Sequence, residues 1–425
     1  MKARIAIVGG GVMGTSIAWY AARRTDPIGE PVVLLERREL AAGSSGRSGA
    51  ILRQFYASRE LAGMARDSLR VYAGFESRTG RSIGFQRTGV LTLSGASDPE
   101  AQAGLLRNLE MMRSIGIAAE LVRAAEILAL APGIAVAPDT LGVWEPDAGF
   151  VDPQRTVEVF AALARQHGAI TRIGVEVRAL RIEAGRVRGV ETSEGPIEAD
   201  QVVVAAGPWS RALLAAHGVD LPLRAVRPEQ HFLAMPAPPP GPAPEQPEAP
   251  QASEGLAAQI EARFARDEPP AAAHPVLLDL EHGYYARCEP AGARTRIGEL
   301  GYAGCQETAD PDLLDERVSE RFALWARAAL EARMPVYRGQ PDAGGLAGWY
   351  TLTPDAQAIL GPAPEIEGLF IVTGFSGHGF KLAPSVGEGV AQMLWGEPVG
   401  AFDAEFFSPR RFHAGEHGWQ GRFGL

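Results

Sequence analysis

The sequence is poor in cysteine, has no excess of positive charge and contains no uninterrupted apolar run. Its two cysteines, Cys288 and Cys305, show no metal-type or Cys-x-x-Cys spacing, and their scarcity is typical of a reducing compartment. The formal net charge of −10 argues against a nucleic-acid partner and against an anionic membrane surface. Four glycines interrupt the uncharged run from Ile5 to Ala22, so no transmembrane span is expected. We therefore expect a cytoplasmic protein without a metal site.

The first residues of the chain carry a strand, a glycine-rich turn and a helix in that order. The strand is Arg4–Val8, the glycines Gly9, Gly11 and Gly14 have the spacing GxGxxG, and helical spacing runs over Thr15–Arg24. In such a unit the first glycine permits the turn, the second lets a pyrophosphate approach the backbone and the third lets the helix pack on the strand. The helix N-terminus then faces the phosphates with its partial positive charge.

A second strand and an acidic residue complete this motif. Val32–Leu35 is apolar, and Glu36 follows it at the distance where a carboxylate can accept hydrogen bonds from a ribose. The same carboxylate would repel a 2′-phosphate, which disfavours NADP. The motif predicts a dinucleotide site but does not by itself distinguish NAD from FAD.

Two later segments favour the longer cofactor. Asp200–Trp209 and Leu369–Gly374 each read as a strand that ends in a turn of small residues. A chain of 425 residues is expected to form two domains. A nucleotide-binding sheet with strands from the start, middle and end of the chain suits FAD, which would extend through the whole domain.

Blocks along nearly the whole chain resemble the D-amino-acid oxidase superfamily of FAD enzymes. Within it, the sequence is most similar to the branch of monomeric sarcosine oxidase and N-methyl-amino-acid oxidases. The blocks are Val8–Gly14, Gly43–Ser44, Ile51–Arg53, Arg87–Leu91, Asp147–Pro153, Ala206–Trp209, Gly283–Tyr285, Tyr350–Asp355 and Gly374–Lys381.

The resemblance implies an α/β fold with two domains. One is a Rossmann-like FAD-binding domain of the GR2 type, and the other is a mostly antiparallel α+β substrate domain. We expect the FAD domain at 1–83, 150–217 and 354–425, and the substrate domain at 84–149 and 218–353. A Pro-rich insertion at about 236–275 interrupts the second domain, as a surface loop, a lid or a docking element for a protein partner.

The resemblance also implies which residues hold FAD. Glycine N–H groups of the GFSGHGFKLAP stretch (374–384) would lie beside the pyrimidine end of the flavin, where reduction adds negative charge. The expected FAD-binding residues are Gly9, Gly11, Val12, Met13, Gly14, Glu36, Arg37, Ser44, Ser45, Arg47, Ser48, Ala206, Gly207, Trp209, Gly374, Gly377, His378, Gly379 and Lys381.

On the substrate side, the resemblance assigns Arg53 and Lys381 to a carboxylate clamp. Two cations would fix a small anionic amine over the flavin. A substrate held in the reactive orientation reacts faster than one that collides with the flavin from solution. Tyr285 and Tyr350 would line the pocket, with His378 close to the flavin. A neutral amine then gives up a hydride equivalent, and the resulting imine hydrolyses in water.

Two departures from the branch modify these expectations. Gly348 stands where flavin-linked members carry a cysteine, so FAD is expected to be bound non-covalently. Arg296 aligns with a lysine that, in the oxidases, helps O₂ to react at the opposite face of the flavin. A guanidinium lacks the compact charge of an ammonium, so this reaction with O₂ is in doubt here. The electron acceptor is therefore O₂ or another oxidant, which leaves oxidase and dehydrogenase open.

Two other functions are compatible with the sequence. One is an FAD-dependent 2-hydroxy-acid dehydrogenase, which needs a base for the hydroxyl proton and has His378 as the visible candidate. The other is a flavin-bearing subunit or assembly factor that binds a partner through the Pro-rich insertion.

Overall fold

The computed structural model describes residues 1–25, 29–95, 97–236, 274–302, 304–308, 310–412 and 419. Nearly all of the predicted Pro-rich insertion lies outside these residues. The strands are β1 Lys2–Val8, β2 Val32–Glu36, β3 Ile51–Leu52, β4 Val90–Ser94, β5 Glu120–Arg123, β6 Leu141–Glu145, β7 Gly149–Phe150, β8 Ile170–Ile173, β9 Val177–Glu183, β10 Arg186–Thr192, β11 Gly195–Val204, β12 Arg224–Arg227, β13 Glu229–Ala234, β14 Val276–Asp279, β15 Tyr284–Glu289, β16 Arg294–Glu299, β17 Gln306–Glu307, β18 Asp342–Ala347, β19 Tyr350–Leu352, β20 Ile359–Pro362 and β21 Leu369–Thr373. The helices are α1 Val12–Ala22, α2 Arg59–Ala73, α3 Phe75–Thr79, α4 Pro99–Ser114, α5 Ala124–Leu130, α6 Pro153–Gln166, α7 Ser210–Ala215, α8 Glu320–Arg333 and α9 Gly379–Leu394.

A mixed sheet with a parallel core, β21-β11-β1-β2-β8, forms the centre of the nucleotide-binding part. Its main path in the described residues runs β20-β21-β11-β1-β2-β8, and β1 pairs in parallel with both β11 and β2. Strand β21 pairs in parallel with β11, so neighbouring strands come from the start, the middle and the end of the chain. The carboxyl ends of these strands therefore meet at one edge, which is where ligands bind in open α/β sheets.

The first helix differs from its prediction at both ends. It spans Val12–Ala22 instead of Thr15–Arg24, and it starts directly after its N-cap Gly11. It packs against α9 closely enough for the Ser16 hydroxyl to donate to the Ala383 carbonyl at 2.7 Å. A Cβ at Gly387 would lie 2.2 Å from Ser16 Oγ, so only glycine allows this approach.

A second sheet covers the nucleotide-binding edge. In the described residues its order is β18-β13-β16-β15-β14-β4-β6-β5, and every neighbouring pair is antiparallel except β4 with β14. The two sheets confirm the predicted fold class, a Rossmann-like part with a mostly antiparallel second part. The predicted domain boundaries stay a prediction. None of the described helices combines the length and the apolarity that crossing a membrane requires.

Candidate active site

A cavity of about 580 Å³ lies at the carboxyl edge of the parallel sheet, under the second sheet. Its size is that of a small-molecule or cofactor site. The cavity is lined by every residue predicted to bind FAD or substrate except Gly14 and Arg296. The structure therefore brings into one place residues as far apart in the chain as Gly9 and Lys381, which are 372 positions apart.

The glycine turn after β1 is shaped by close backbone contacts. Gly9 has a φ of +115°, and a Cβ there would lie 2.4 Å from the Ala205 carbonyl oxygen. A Cβ at Gly14 would lie 1.9 Å from the Gly9 carbonyl oxygen, so this glycine supports the turn from behind instead of lining the cavity. Gly11 caps α1 without a side-chain hydrogen bond, and the Val12 N–H donates to Ser45 Oγ at 2.9 Å. The helix N-terminus is thus open towards the cavity.

Glu36 holds the glycine turn as well as lining the cavity. Its carboxylate accepts the Gly10 N–H at 2.7 Å and the Arg38 N–H at 2.8 Å. One acidic side chain therefore joins the glycine turn after β1 to the loop after β2. Its role towards a ribose stays a prediction.

A second helix N-terminus points at the same cavity. The stretch after β21 turns through Gly374 and Gly377, with φ of +73° and +83°, and His378 caps α9. Between them Ser376 donates its N–H to the Thr351 carbonyl at 2.9 Å, which ties the turn to β19. The positive ends of α1 and α9 thus converge on one space.

Two buried cations lie at the α9 end of the cavity. Lys381 is 8% exposed, and among the described residues no hydrogen bond or ion pair engages its ammonium group. Burial, with a smaller contribution from Arg53, lowers the pKa of Lys381 well below its usual range. The Arg53 guanidinium lies 4.2 Å from the Tyr56 ring centroid. Burial and the two cations also lower the pKa of His378, which keeps this imidazole neutral.

Two tyrosines form the wall contributed by the second sheet. Tyr285 on β15 and Tyr350 on β19 both line the cavity, and their hydroxyls are hydrogen-bonded to each other. Burial raises the pKa of both hydroxyls, so neither ionises near neutral pH.

Arg296 lies behind this wall. Its guanidinium pairs with Glu289 at 2.6 Å and donates to the Arg47 carbonyl at 3.1 Å and to the Gln230 side chain. Arg287 pairs with the same Glu289 at 3.0 Å, and burial together with Arg296 lowers the pKa of Arg287 to about 10. Arg296 therefore supports the loop of Arg47 in this structure, and its predicted place opposite a flavin stays a prediction.

A strap formed by residues 310–316 crosses the other end of the cavity. Trp209 donates its indole N–H to Asp312 at 3.0 Å, and Trp349 donates to the Pro311 carbonyl at 3.1 Å. The two indole rings lie 5.3 Å apart. Both tryptophans line the cavity, whereas no residue of the strap does, so the strap packs on the outside of this part of the wall.

Two predicted cofactor-binding arginines contact the strap. Arg37 pairs with Asp312 and lies 4.4 Å from the Trp209 ring centroid. Arg47 pairs with Glu316 and lies 4.7 Å from the Trp349 ring centroid. Each arginine thus joins the strap to the floor of the cavity.

Comparison with known proteins agrees with this geometry. The family model of the FAD dependent oxidoreductases matches residues 4–393. The chain belongs to this family. It is 27% identical over 424 residues to mitochondrial dimethylglycine dehydrogenase of Mus musculus, covering 97% of this chain and 44% of that protein. It is 25% identical over 400 residues to monomeric sarcosine oxidase of Bacillus sp. (strain B-0618), covering 92% and 91%. The chain thus spans less than half the length of the mouse relative.

The solved structure of L-proline dehydrogenase from P. horikoshii has the same fold. It superposes with a TM-score of 0.80 at 25% identity, over 98% of this chain and 99% of that one. The predicted resemblance to the family is therefore confirmed.

The residues present fit FAD. The cavity offers the open N-terminus of α1 for the pyrophosphate and that of α9 for the flavin carbonyls, and a Cβ at Gly9 or Gly14 would collide with backbone. Neither of the two cysteines lines the cavity, and Gly348 lies on its wall, where an added Cβ would lie 3.3 Å from the Cβ of Arg47. FAD would accordingly be held by non-covalent contacts.

Sequence reasoning missed several residues of the site. Gln230, Leu278, Leu300 and Trp349 line the cavity, and Glu145 lies buried behind Arg53. Glu145 stands two residues before the Asp147–Pro153 block, so extending that block would have included it. For Lys381, which was predicted, composition gives a further signal of a special role, because Lys2 and Lys381 are the only lysines of the chain.

Proposed function

We propose that the protein oxidises a small amino acid or secondary amine that carries one carboxylate, using FAD as the hydride acceptor. The observation that carries this proposal is the pair of buried cations, Arg53 and Lys381, at the flavin end of the cavity. A buried ammonium without a protein partner is costly, so it is retained where an anion binds it. A sarcosine-like, N-methylated or D-amino acid provides such an anion beside an oxidisable amine.

The residues of the chain supply binding and orientation. Arg53 and Lys381 hold the carboxylate, and charge-assisted hydrogen bonds of this kind contribute roughly 1.5–3 kcal/mol each. The hydroxyls of Tyr285 and Tyr350 stay protonated and shape the opposite wall. When bound, FAD takes up the hydride equivalent, and the imine product then hydrolyses in water. The mechanism requires no strong base if the amine binds unprotonated.

A 2-hydroxy-acid dehydrogenase is the second candidate. The lowered pKa of His378 favours this alternative, because a neutral imidazole beside the cavity can accept a hydroxyl proton. Both candidates use the same carboxylate clamp, so the substrate alone distinguishes them.

Further assignments belong to the same proposal. We propose non-covalent FAD, with either O₂ or another oxidant as the electron acceptor. The free thiols of Cys288 and Cys305 support a reducing, cytoplasmic setting. The predicted FAD and substrate domains fit the strands of the two sheets, with the Pro-rich insertion as a place where a protein partner could bind.

The experiment is an anaerobic titration of the yellow protein followed by its visible spectrum. Sarcosine, other N-methyl amino acids, D-amino acids, proline and 2-hydroxy acids are added in turn, and air is then admitted. Bleaching by an amine supports the proposal, and rapid recovery in air indicates an oxidase. Bleaching by hydroxy acids alone would contradict the proposed amine oxidation and support the 2-hydroxy-acid dehydrogenase. A yellow protein that none of these compounds bleaches would favour the partner-binding subunit.

A further inference from the structure

A buried carboxylate lies behind the proposed substrate clamp. Glu145 ends β6 in the second sheet and has no exposed surface. Its side chain accepts the Gln54 N–H at 2.6 Å and the Phe55 N–H at 3.3 Å, and the Gln54 side-chain amide approaches at 3.4 Å. Two consecutive backbone N–H groups therefore point into one carboxylate that comes from a different sheet.

The segment held by Glu145 carries Arg53. The Arg53 guanidinium donates to the Phe55 carbonyl and lies over the Tyr56 ring at 4.2 Å from its centroid. Glu145 thus holds the two peptide groups between Arg53 and Phe55, and the guanidinium donates to the carbonyl of the next peptide group. A shift of this segment would move the guanidinium directly.

We propose that Glu145 is a positioning residue, which fixes the Arg53–Phe55 segment so that the Arg53 guanidinium is placed to bind a carboxylate. This inference rests on the proposed function, since it takes Arg53 and Lys381 as the groups that bind the carboxylate.

Glutamine at this position would not reproduce the arrangement. An ionised carboxylate has two acceptor oxygens, whereas a carboxamide has one acceptor and one donor group. One of the two backbone N–H groups would then face an N–H donor or share the remaining oxygen. The carboxylate is also expensive to bury, because desolvation raises the pKa of Glu145 to about 7 in spite of the hydrogen bonds from the backbone. A group that costs stability and serves only packing would be better replaced by an apolar side chain.

Two other titratable side chains, Tyr56 and His378, lie beside the clamp. They pack against each other with ring centroids 5.3 Å apart, and neither carries a charge near neutral pH. The charges that act on a bound carboxylate are therefore those of Arg53, Glu145 and Lys381.

The test is binding of acetate, a carboxylate that cannot be oxidised, to the FAD-loaded protein at pH 8. Bound acetate is detected by its perturbation of the flavin absorption spectrum. Glu145→Gln should bind acetate about tenfold or more weakly than the unchanged protein. Its FAD content and its response to neutral acetamide should stay unchanged. The control is Glu281→Gln, the same chemical change at a carboxylate that pairs with Arg333.

A double-mutant cycle shows whether Glu145 acts through Arg53. In an Arg53→Met background, Glu145→Gln should weaken acetate binding less than it does alone, because the guanidinium that it positions is absent. Glu145→Asp, which keeps the charge on a shorter side chain, should give intermediate affinity and replaces the glutamine variant if that one does not fold. Equal losses in both backgrounds, or unchanged acetate affinity in Glu145→Gln, would overturn the inference.

The same data keep this inference separate from the proposed function. If the unchanged protein binds acetate and Glu145→Gln does not, but no amine bleaches the flavin, then the positioning role stands and the proposed substrate is wrong. If amines bleach the flavin and Glu145→Gln binds acetate normally, the function stands and the positioning role is wrong. Failure of the unchanged protein to bind acetate would overturn the clamp and the role of Glu145 together.

Discussion

Glu145→Gln should change how the stability of the protein depends on pH. The unfolded carboxyl group titrates near 4.5, whereas burial raises the pKa of Glu145 to about 7 in the folded protein. Protonated Glu145 therefore contributes stability below the lower pKa, and this contribution is lost as pH rises through the higher one. The two pKa values differ by about 2.5. At about 1.36 kcal/mol per pKa unit, the contribution is about 3 kcal/mol.

The assay is the melting temperature of the FAD-loaded proteins between pH 5 and pH 8. As pH rises, the unchanged protein should lose stability relative to Glu145→Gln by most of this amount. For a cooperative unit of roughly 200 residues, about 3 kcal/mol corresponds to a change of about 6–12 °C in the difference between the melting temperatures. His378 titrates in both proteins, so its contribution largely cancels in the difference, whereas that of Lys381 does not cancel because Glu145 raises its pKa. Glu281→Gln should show no such change.

A constant difference between pH 5 and pH 8 would refute this reasoning. It would mean that the backbone N–H groups and Arg53 keep Glu145 ionised throughout the range, in spite of its burial. A difference that grows in the opposite direction would mean that the ionised carboxylate is net stabilising. Either result would mean that burial of the ionised carboxylate does not destabilise the protein, so its presence would no longer call for a functional reason.

Three further predictions concern the clamp, the strap and the glycine turn. Lys381→Met should weaken binding of acetate or of an anionic substrate about 10- to 150-fold, from roughly 1.5–3 kcal/mol; equal affinity would remove it from the clamp, and Lys2→Met is the matched control. Asp312→Asn should speed FAD loss up to about fivefold, since exposed pairs contribute roughly 0.2–1 kcal/mol; an unchanged rate on dilution would show that the strap does not retain FAD. Gly14→Ala should abolish FAD binding, whereas Gly63→Ala, which has open space around it, should not.

The fold and the FAD cradle could be predicted because their signals are local in the chain. The turn after β1 is a contiguous motif in which Gly9 and Gly14 have separate steric reasons to lack a side chain. The strands Asp200–Val204 and Leu369–Thr373 end in small residues that are visible in the sequence. In the structure Val204 pairs with both Val8 and Ile371, which brings the ends of these strands together.

The contacts across the two sheets could not be predicted in the same way. Glu145 approaches Gln54 over 91 positions, and the strap reaches Arg37 over 275 positions. A single sequence contains no signal for such pairs, because each partner alone resembles an ordinary surface charge. Arg296 illustrates the same limit, since its position in the sequence suggested the cavity wall while its guanidinium is engaged by Glu289 behind it.

The charge arrangement at the α9 end suggests why the chain retains a lysine there. Arginine supplies nearly every other cation of this protein, and an arginine at position 381 would stay charged at any pH. The pKa of Lys381 is lowered by burial and by Arg53 but raised by Glu145, so its protonation responds to its neighbours. An incoming carboxylate would favour the charged form further, whereas the empty site needs to hold less buried charge. Lysine thus allows the clamp to become fully charged when substrate binds, and Glu145 favours this protonation by raising the pKa of Lys381.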